Sequence, residues 1–352
     1  MTEARTTALS ERADWSCAPL PGTCVLEFSD DERTSLLTGI ALLLHEVEDL
    51  PLDHPGLLAA AEALGRSLPP RILRELIAFR DDGNDIGGLI LRRVPVDVSL
   101  PPTPPDGMGP RDWRELPVTT LGQLAISSVL GGVIAYADEK AGRLVQDTIP
   151  VKGAETRQEN SNSALLELHV EDTFHPFRPD FLTLHCLRGD HELAGLTVVG
   201  SMRGVLPSLD ESTVDILRQP RFRTRLSTSF TGSGPARYAP ASAILTGPVA
   251  DPDVSVVFGA TESLDEDADA ALLALRAAVM AELRGTVLEP GDLMIVDNRR
   301  AVHGRTGFRP RYDGTDRWLR RCFTVADIRA SAVMRPRGSR VCAPLPLPGD
   351  GA

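Results

Sequence analysis

Two residues that can bind a metal ion stand two positions apart in the segment LLELHVED, residues 165–172. His169 offers an imidazole and Glu171 a carboxylate, and the apolar residues before them are typical of a β-strand. Because side chains alternate between the two faces of a strand, residues i and i+2 project to the same side. The spacing therefore predicts that His169 and Glu171 face a common point, although the His-x-Glu pattern by itself is a weak signal.

A second histidine would complete a metal site, and His303 in the segment AVHGR is the best candidate. It follows an apolar run at 293–297, predicted to be a strand, and a turn at 298–300. Two histidines and one carboxylate on one face of an octahedron leave three positions open, as in non-haem iron(II) oxygenases. A bidentate 2-oxo acid would take two of these positions and dioxygen the third. The remaining histidines are interpreted as packing residues: His45, His54, His175, His185 and His191.

Two arginines follow His303 in the segment DRWLRRCFTV. Arg317 and Arg321 are four positions apart and share one face of a predicted strand with Leu319 and Phe323. This apolar company predicts that the face points inward, where an unpaired guanidinium is costly. Anionic partners are therefore expected, because the planar guanidinium binds a carboxylate through two parallel hydrogen bonds. Ion pairs with Asp or Glu on a solvated face are the alternative.

The elements that must position these residues divide into a helical part and a β-rich part. Helices are predicted over about 30–82, where acidic residues open the first helix and leucines recur at helical spacing. A short strand is expected at 87–92 and an apolar helix at 121–137. From about residue 143, short strands separated by Pro, Gly, Asp and Asn favour a sandwich or barrel. One helix, at about 265–284, interrupts these strands.

These elements predict one domain. Hydrophobic residues make up 42% of the 352 residues, enough for one substantial core. We expect a single domain over 25–340, whose β core extends over about 87–330. Residues 1–24 are expected to form a flexible arm and residues 341–352 a flexible tail, since both are rich in turn-forming or small residues.

Charge and composition exclude several classes of partner. The net charge of -12 argues against nucleic-acid binding, which needs a basic surface. No apolar run approaches the roughly 20 residues of a membrane span, and the N-terminus has no apolar signal core. Five scattered cysteines without a C-x-x-C pair suit a reducing compartment. We therefore expect a cytoplasmic protein that binds neither nucleic acid nor membranes.

Five stretches resemble the clavaminate-synthase-like family of iron- and 2-oxoglutarate-dependent oxygenases: LVQDTIPVKG, LELHVEDTFHPFRPDF, CLRGD, IVDNRRAVHGRTGF and PRYDGTDRWLRRCF. The resemblance covers about residues 87–340 and extends to the branch of amino-acid β-hydroxylases that includes asparagine and arginine hydroxylases. It implies a double-stranded β-helix core, the jelly-roll fold of cupin-like proteins. The expected fold class is therefore mainly β with helical additions (α+β).

The resemblance also implies a role for each candidate residue. His169, Glu171 and His303 would bind Fe(II), Arg317 the distal carboxylate of 2-oxoglutarate, and Arg321 the α-carboxylate of the substrate. Further substrate contacts are implied for Glu139, Asn160, Asp172 and Val257. Arginine and asparagine hydroxylases carry an aspartate in the segment that contains Val257, so we expect a substrate with an apolar or weakly polar side chain. A lysine-like substrate is the alternative, because acidic residues follow at 262–267.

We therefore expect a dioxygenase that uses Fe(II), 2-oxoglutarate and O2 to hydroxylate an L-amino acid, at C3. The product would belong to secondary metabolism, such as the biosynthesis of a nonribosomal peptide antibiotic, and the amino acid would be free or bound to a carrier protein. Two other functions stay open. One is a zinc-dependent hydrolase or isomerase with the same three ligands, and the other is a β-barrel binding module without catalysis.

Overall fold

The computed structural model describes residue 15 and residues 17–155, 163–232 and 235–346. Its α-helices, numbered α1 to α8 in chain order, are Asp30–Val47, Pro55–Arg66, Pro70–Asp82, Pro117–Leu130, Met202–Val205, Glu211–Leu217, Thr228–Thr231 and Glu266–Glu282. Its strands, numbered β1 to β17, are Ala18–Pro19, Val25–Glu27, Gly88–Arg92, Gly132–Tyr136, Val145–Thr148, Leu166–His169, Phe181–Arg188, Leu196–Ser201, Phe222–Thr224, Leu245–Thr246, Asp253–Val254, Thr261–Ser263, Arg284–Val287, Leu293–Asp297, Ala301–Arg305, Trp318–Val325 and Val341–Cys342.

The helical part predicted over 30–82 is present as α1, α2 and α3. Ser29 and Glu32 form a capping box at the start of α1, which satisfies two backbone N–H groups that have no partner inside the helix. Proline occupies the first position of α2 and of α3, where its missing N–H costs nothing. The three helices and α4 each bury leucines against one face of a large sheet, in a shared hydrophobic cluster.

Two sheets make up most of the β-rich part. The larger has the order β17-β4-β16-β7-β14-β3-β2, with β5 also paired to β16, and the smaller has the order β1-β13-β8-β15-β6. One hydrophobic cluster joins Val199 and Ala301 of the smaller sheet to Leu184, Met294 and Phe323 of the larger sheet. The two sheets therefore pack against each other, and the combination of sheets with helices that the sequence predicted is confirmed.

One predicted helix is shorter than expected. The apolar run at 121–137 was expected to be helical throughout, but α4 ends at Leu130 and residues 132–136 form β4, which pairs with β16. Gly131 makes this change of direction possible, because a Cβ there would lie 2.4 Å from the carbonyl oxygen of Val325. The β-branched Val133 and Ile134 then favour a strand. The helix expected at 265–284 is present as α8, with Asp265 accepting a hydrogen bond from Ala268 N.

The described parts of the predicted arm and tail pack against the rest of the protein. Trp15 is buried, and Ala18–Pro19 pairs with Arg284 and Gly285 of β13. In the predicted tail, Val341–Cys342 pairs with β4 and Cys342 is fully buried. Burial of these side chains and the added backbone hydrogen bonds fix both segments. Residues 1–14 and 347–352 lie outside the described part, and the single domain over 25–340 stays a prediction. Among the described helices, none has the length and apolar character to cross a membrane.

Candidate active site

Three potential metal ligands meet on the smaller sheet. His169 ends β6 and lies directly opposite His303 of β15, so the two imidazole rings are 4.3 Å apart between centroids. Glu171, two residues beyond His169, brings its Oε2 to 3.9 Å from His169 Nε2 and 3.8 Å from His303 Nε2. One ligand atom from each residue lies within 4.8 Å of the others. Strand alternation and strand pairing together therefore create the triad that the sequence predicted.

The protonation states of the triad suit a divalent metal ion. His169 Nδ1 lies 2.8 Å from the carbonyl oxygen of Glu167, so its N–H donates there and Nε2 is directed toward Glu171. Burial and the neighbouring His169 lower the pKa of His303 to about 4, which keeps this imidazole neutral. Burial opposes ionisation of Glu171, but Arg321 and the two histidines hold its pKa well below the usual range. Two imidazoles and one carboxylate are the donor set that a non-haem iron site requires.

Arg321 of β16 reaches the triad from the larger sheet. Its Nη1 lies 2.9 Å from Glu171 Oε2, and Nη2 forms an ion pair with Glu139. Its Nε also donates to Gln146 Oε1 on β5, at 3.2 Å. Burial works against the charge of Arg321, but the adjacent carboxylates of Glu139, Glu171 and Asp172 raise its pKa. The site therefore lies between the two sheets, with a permanent positive charge beside the metal ligands.

Two buried carboxylates next to Arg321 have oxygen atoms without a hydrogen-bond partner among the described residues. These atoms are Glu139 Oε2 and Asp172 Oδ2, and both residues are less than 10% exposed. Burial raises the pKa of both carboxyl groups, and each is raised further by neighbouring carboxylates. Asp172 also adopts a φ of 48°, which turns the chain sharply after Glu171. Together these carboxylates can accept a cationic group.

Arg317 lies elsewhere between the sheets. It directly precedes β16, is 3% exposed and donates from Nη2 to Thr197 Oγ1 at 3.3 Å. Thr197 is two residues along β8 from Val199, which lies opposite His303. Two strand residues correspond to about 7 Å. The Arg317 side chain is therefore a buried cation that contacts β8 about 7 Å along the strand from the residue opposite His303. Burial lowers the pKa of its guanidinium.

Val257 faces the same side as His169. The two residues are directly opposite each other in an antiparallel bridge, flanked by bonds from Val170 N to Val256 O and from Phe258 N to Leu168 O. This is a non-hydrogen-bonded pair, in which the opposing side chains lie close together on one face. Val256 is fully buried in the core. The register therefore selects Val257 as the residue of this segment that shares a face with His169.

The structure thus places five predicted residues around Arg321, and it adds residues that the sequence reasoning missed. The neighbours of Arg321 are Glu139, Glu171 and Asp172, and His169 and His303 complete the cluster. Asn160 lies outside the described residues. Gln146 and Thr197 were not predicted from the sequence. Gln146 reaches the site because β5 pairs with β16, and Thr197 because β8 pairs with β15. The alternation of the stretch LVQDTIPVKG was the signal available for Gln146.

Comparisons with known proteins agree with this geometry. The model of the family described as "Taurine catabolism dioxygenase TauD, TfdA family" matches residues 114–323. An L-asparagine oxygenase of Streptomyces coelicolor is 45% identical over 82% of this chain and 86% of its own. The chain therefore belongs to the TauD/TfdA dioxygenase family, and its resemblance to the clavaminate-synthase-like oxygenases is confirmed.

Two solved structures share the fold. An asparagine oxygenase in complex with Fe(II), 2S,3S-3-hydroxyasparagine and succinate superposes with a TM-score of 0.84 and 39% identity, covering 91% of this chain and 99% of that one. The non-heme iron oxygenase OrfP in complex with Fe and alpha-ketoglutaric acid gives 0.79 and 30%, covering 90% and 99%. The geometry and these related iron oxygenases together identify the iron site of this chain as His169, Glu171 and His303.

Proposed function

We infer that this chain is an Fe(II)- and 2-oxoglutarate-dependent dioxygenase that hydroxylates an L-amino acid at C3. The observation that carries this function is the triad of two imidazoles and one carboxylate between the sheets, with Arg321 and Glu139 beside it. We further propose that the two packed sheets form a jelly-roll core. The ligand side chains lie mostly buried between the sheets, which would limit the access of water to a bound metal ion during oxidation.

Fe(II) held by the triad supplies activation of dioxygen, and oxidative decarboxylation of 2-oxoglutarate to succinate and carbon dioxide supplies two electrons. The protein's task is then one of position. His169 is held by its hydrogen bond to the Glu167 carbonyl, and His303 by its place in the middle of β15. The His169 ring is therefore oriented before the co-substrate arrives, and burial limits the movement of the His303 ring.

We propose that Arg317 and Thr197 bind the distal carboxylate of 2-oxoglutarate. Arg317 is buried, and its described side-chain hydrogen bond goes to a neutral hydroxyl, so its guanidinium has donors available for an anion. The separation of about 7 Å along β8 between this point and the position opposite His303 is comparable with the length of a five-carbon diacid. One carboxylate would then bind Arg317 while the 2-oxo acid end reaches the metal.

We propose that the amino acid is bound by both of its charged α-groups. Arg321 would bind the α-carboxylate, and Glu139 together with Asp172 would accept the α-ammonium, since both carboxylates offer an unpartnered buried oxygen. Adjacent Arg and Glu side chains match the adjacent charges of a zwitterion. An amino acid bound as a thioester to a carrier protein lacks the carboxylate charge, so a free amino acid is the expected substrate. A contact from Asn160 is also proposed.

A turnover assay tests this function. The protein, Fe(II), 2-oxoglutarate and a panel of free amino acids are incubated under air, and succinate and products are measured by mass spectrometry. We expect succinate together with a product heavier by one oxygen atom, for the free amino acid and not for its pantetheine thioester. Equal succinate with Zn(II) in place of Fe(II), or no oxidised product from any amino acid, would contradict the proposal.

Val257 is proposed to set the preference for the substrate side chain. Because it offers no charge or hydrogen bond, a cationic side chain packed against it would stay unpaired, at a cost of about 3–5 kcal/mol. We expect wild-type protein to prefer valine- or leucine-like side chains, and Val257→Asp to shift kcat/KM toward lysine, arginine or asparagine. The measurement compares kcat/KM for these five amino acids. Val257→Thr, similar in shape but uncharged, is the control. Efficient arginine hydroxylation by the wild type would show that Val257 does not read the side chain.

A further inference from the structure

Glu171 lies beyond the end of its strand, where the ordinary strand pairing no longer holds the backbone. β6 ends at His169, and Val170 N still donates to Val256 O. Asp172 then turns the chain with a φ of 48°. A backbone N–H and C=O at Glu171 without partners in this buried region would be costly, and the carboxylate that binds the metal would be poorly fixed.

The side chain of Asn298 takes the place of a neighbouring strand. Its Oδ1 accepts from Glu171 N at 2.8 Å, and its Nδ2 donates to Glu171 O at 3.1 Å. The same Nδ2 donates to Pro179 O at 2.8 Å, and the residue is fully buried. The amide thus pairs with both peptide groups of Glu171, and only one orientation of the amide satisfies all three bonds.

Asn298 is itself held by the turn that leads to His303. It follows β14, and its own N–H donates to Asp180 O at 2.9 Å. Asp297 Oδ1 accepts from the backbone N–H groups of Arg299 and Arg300, which closes the turn before β15. One buried amide therefore ties the backbone of Glu171 to the turn that carries the chain into the strand of His303.

We propose that Asn298 is a positioning residue of the metal site, which fixes Glu171 relative to His303 without touching the metal. The proposal rests on the iron site of the proposed function. Residues that orient metal ligands from outside the coordination sphere typically contribute about 10–100-fold to metal affinity. We expect a loss of this size when the amide is removed.

The test measures binding of Mn(II), a probe that needs no turnover, by calorimetric titration of the purified protein. We expect Asn298→Ala to bind Mn(II) about 10–100-fold more weakly than wild type. Asn298→Asp keeps the size and one acceptor, but its second oxygen faces two carbonyl oxygens, so we expect a similar loss. Tm is measured for each variant, and Asn298→Asp serves if the alanine variant fails to fold.

A matched control separates positioning from general stability. Asn84 makes the same kind of bonds without a described hydrogen bond to a metal ligand, accepting from Ile86 N and Gly87 N and donating to Gly88 O. Its loop reaches the turn before β15 through Gly87 O, which accepts from Asp297 N, so the control separates contact with that turn from contact with Glu171. We expect Asn84→Ala to lower Tm and leave Mn(II) affinity unchanged. Wild-type affinity in a folded Asn298 variant, or an equal loss in Asn84→Ala, would overturn the proposal. Failure of wild type to bind Mn(II) would overturn the metal site and this proposal together.

Discussion

Replacement of His169 or of His303 by alanine is expected to abolish hydroxylation while the protein stays folded. Each histidine supplies one of three ligands, so its loss should exceed the roughly 10–100-fold effect of losing a residue that only orients a ligand. The effect on stability should be small. Removing His169 breaks one hydrogen bond, to the Glu167 carbonyl, worth about 0.5–1.5 kcal/mol. His303 Nδ1 has no hydrogen-bond partner among the described residues.

The measurement is product formation by mass spectrometry, together with Tm and Mn(II) binding for each variant. His45→Ala is the matched control, because His45 lies exposed near the end of α1 and has no described hydrogen bond or ion pair with the triad. We expect wild-type turnover and metal binding from it. Wild-type rates of hydroxylation from either His169→Ala or His303→Ala would show that the triad is not the iron site.

Arg317→Ala and Arg321→Ala are expected to weaken the binding of different ligands. Loss of a charge-assisted bond to a buried carboxylate costs about 2–5 kcal/mol, which corresponds to roughly 30- to 4,000-fold in affinity. Arg317→Ala should weaken the binding of 2-oxoglutarate, because Arg317 and its partner Thr197 on β8 form the proposed site of the distal carboxylate. Arg321→Ala should weaken the binding of the amino acid, because Arg321, beside Glu139 and Glu171, is the proposed partner of the α-carboxylate.

Calorimetric titration of each ligand against each variant, with Mn(II) bound, checks this separation. Arg317→Lys and Arg321→Lys are informative partners, because lysine keeps the charge but lacks the planar fork. Relative to the alanine variants, Arg317→Lys should recover part of the affinity for 2-oxoglutarate, and Arg321→Lys part of the affinity for the amino acid. Removing Arg321 also leaves the carboxylates of Glu139 and Glu171 without their cation, and their negative charges would then repel the substrate carboxylate. The lysine variant keeps the cation and so shows how much of the lost affinity comes from this repulsion. Equal loss of both ligands in both alanine variants would mean that the two anion sites are not separate.

The sequence by itself determined the features that depend on local periodicity. Alternation along one strand put His169 and Glu171 on one side, and the capping and leucine pattern predicted α1 and the helices after it. The same alternation put Arg321 on an inward face with Phe323, and the structure places its guanidinium 4.5 Å from that ring. Such patterns act over a few residues, so they can be read without knowing which segments meet.

Only the tertiary structure decided which segments meet. The pairing of β15 with β6 sets His303 opposite His169, and the isolated antiparallel bridge between His169 and Val257 selects Val257 over Val256. The helix predicted through 137 ends at Leu130, because the residues that follow it form β4 and pair with β16. Asn298 gave no local signal, since its bonds to Glu171 join residues 127 positions apart. Strand register and buried hydrogen bonds are satisfied globally, and no local pattern fixes them.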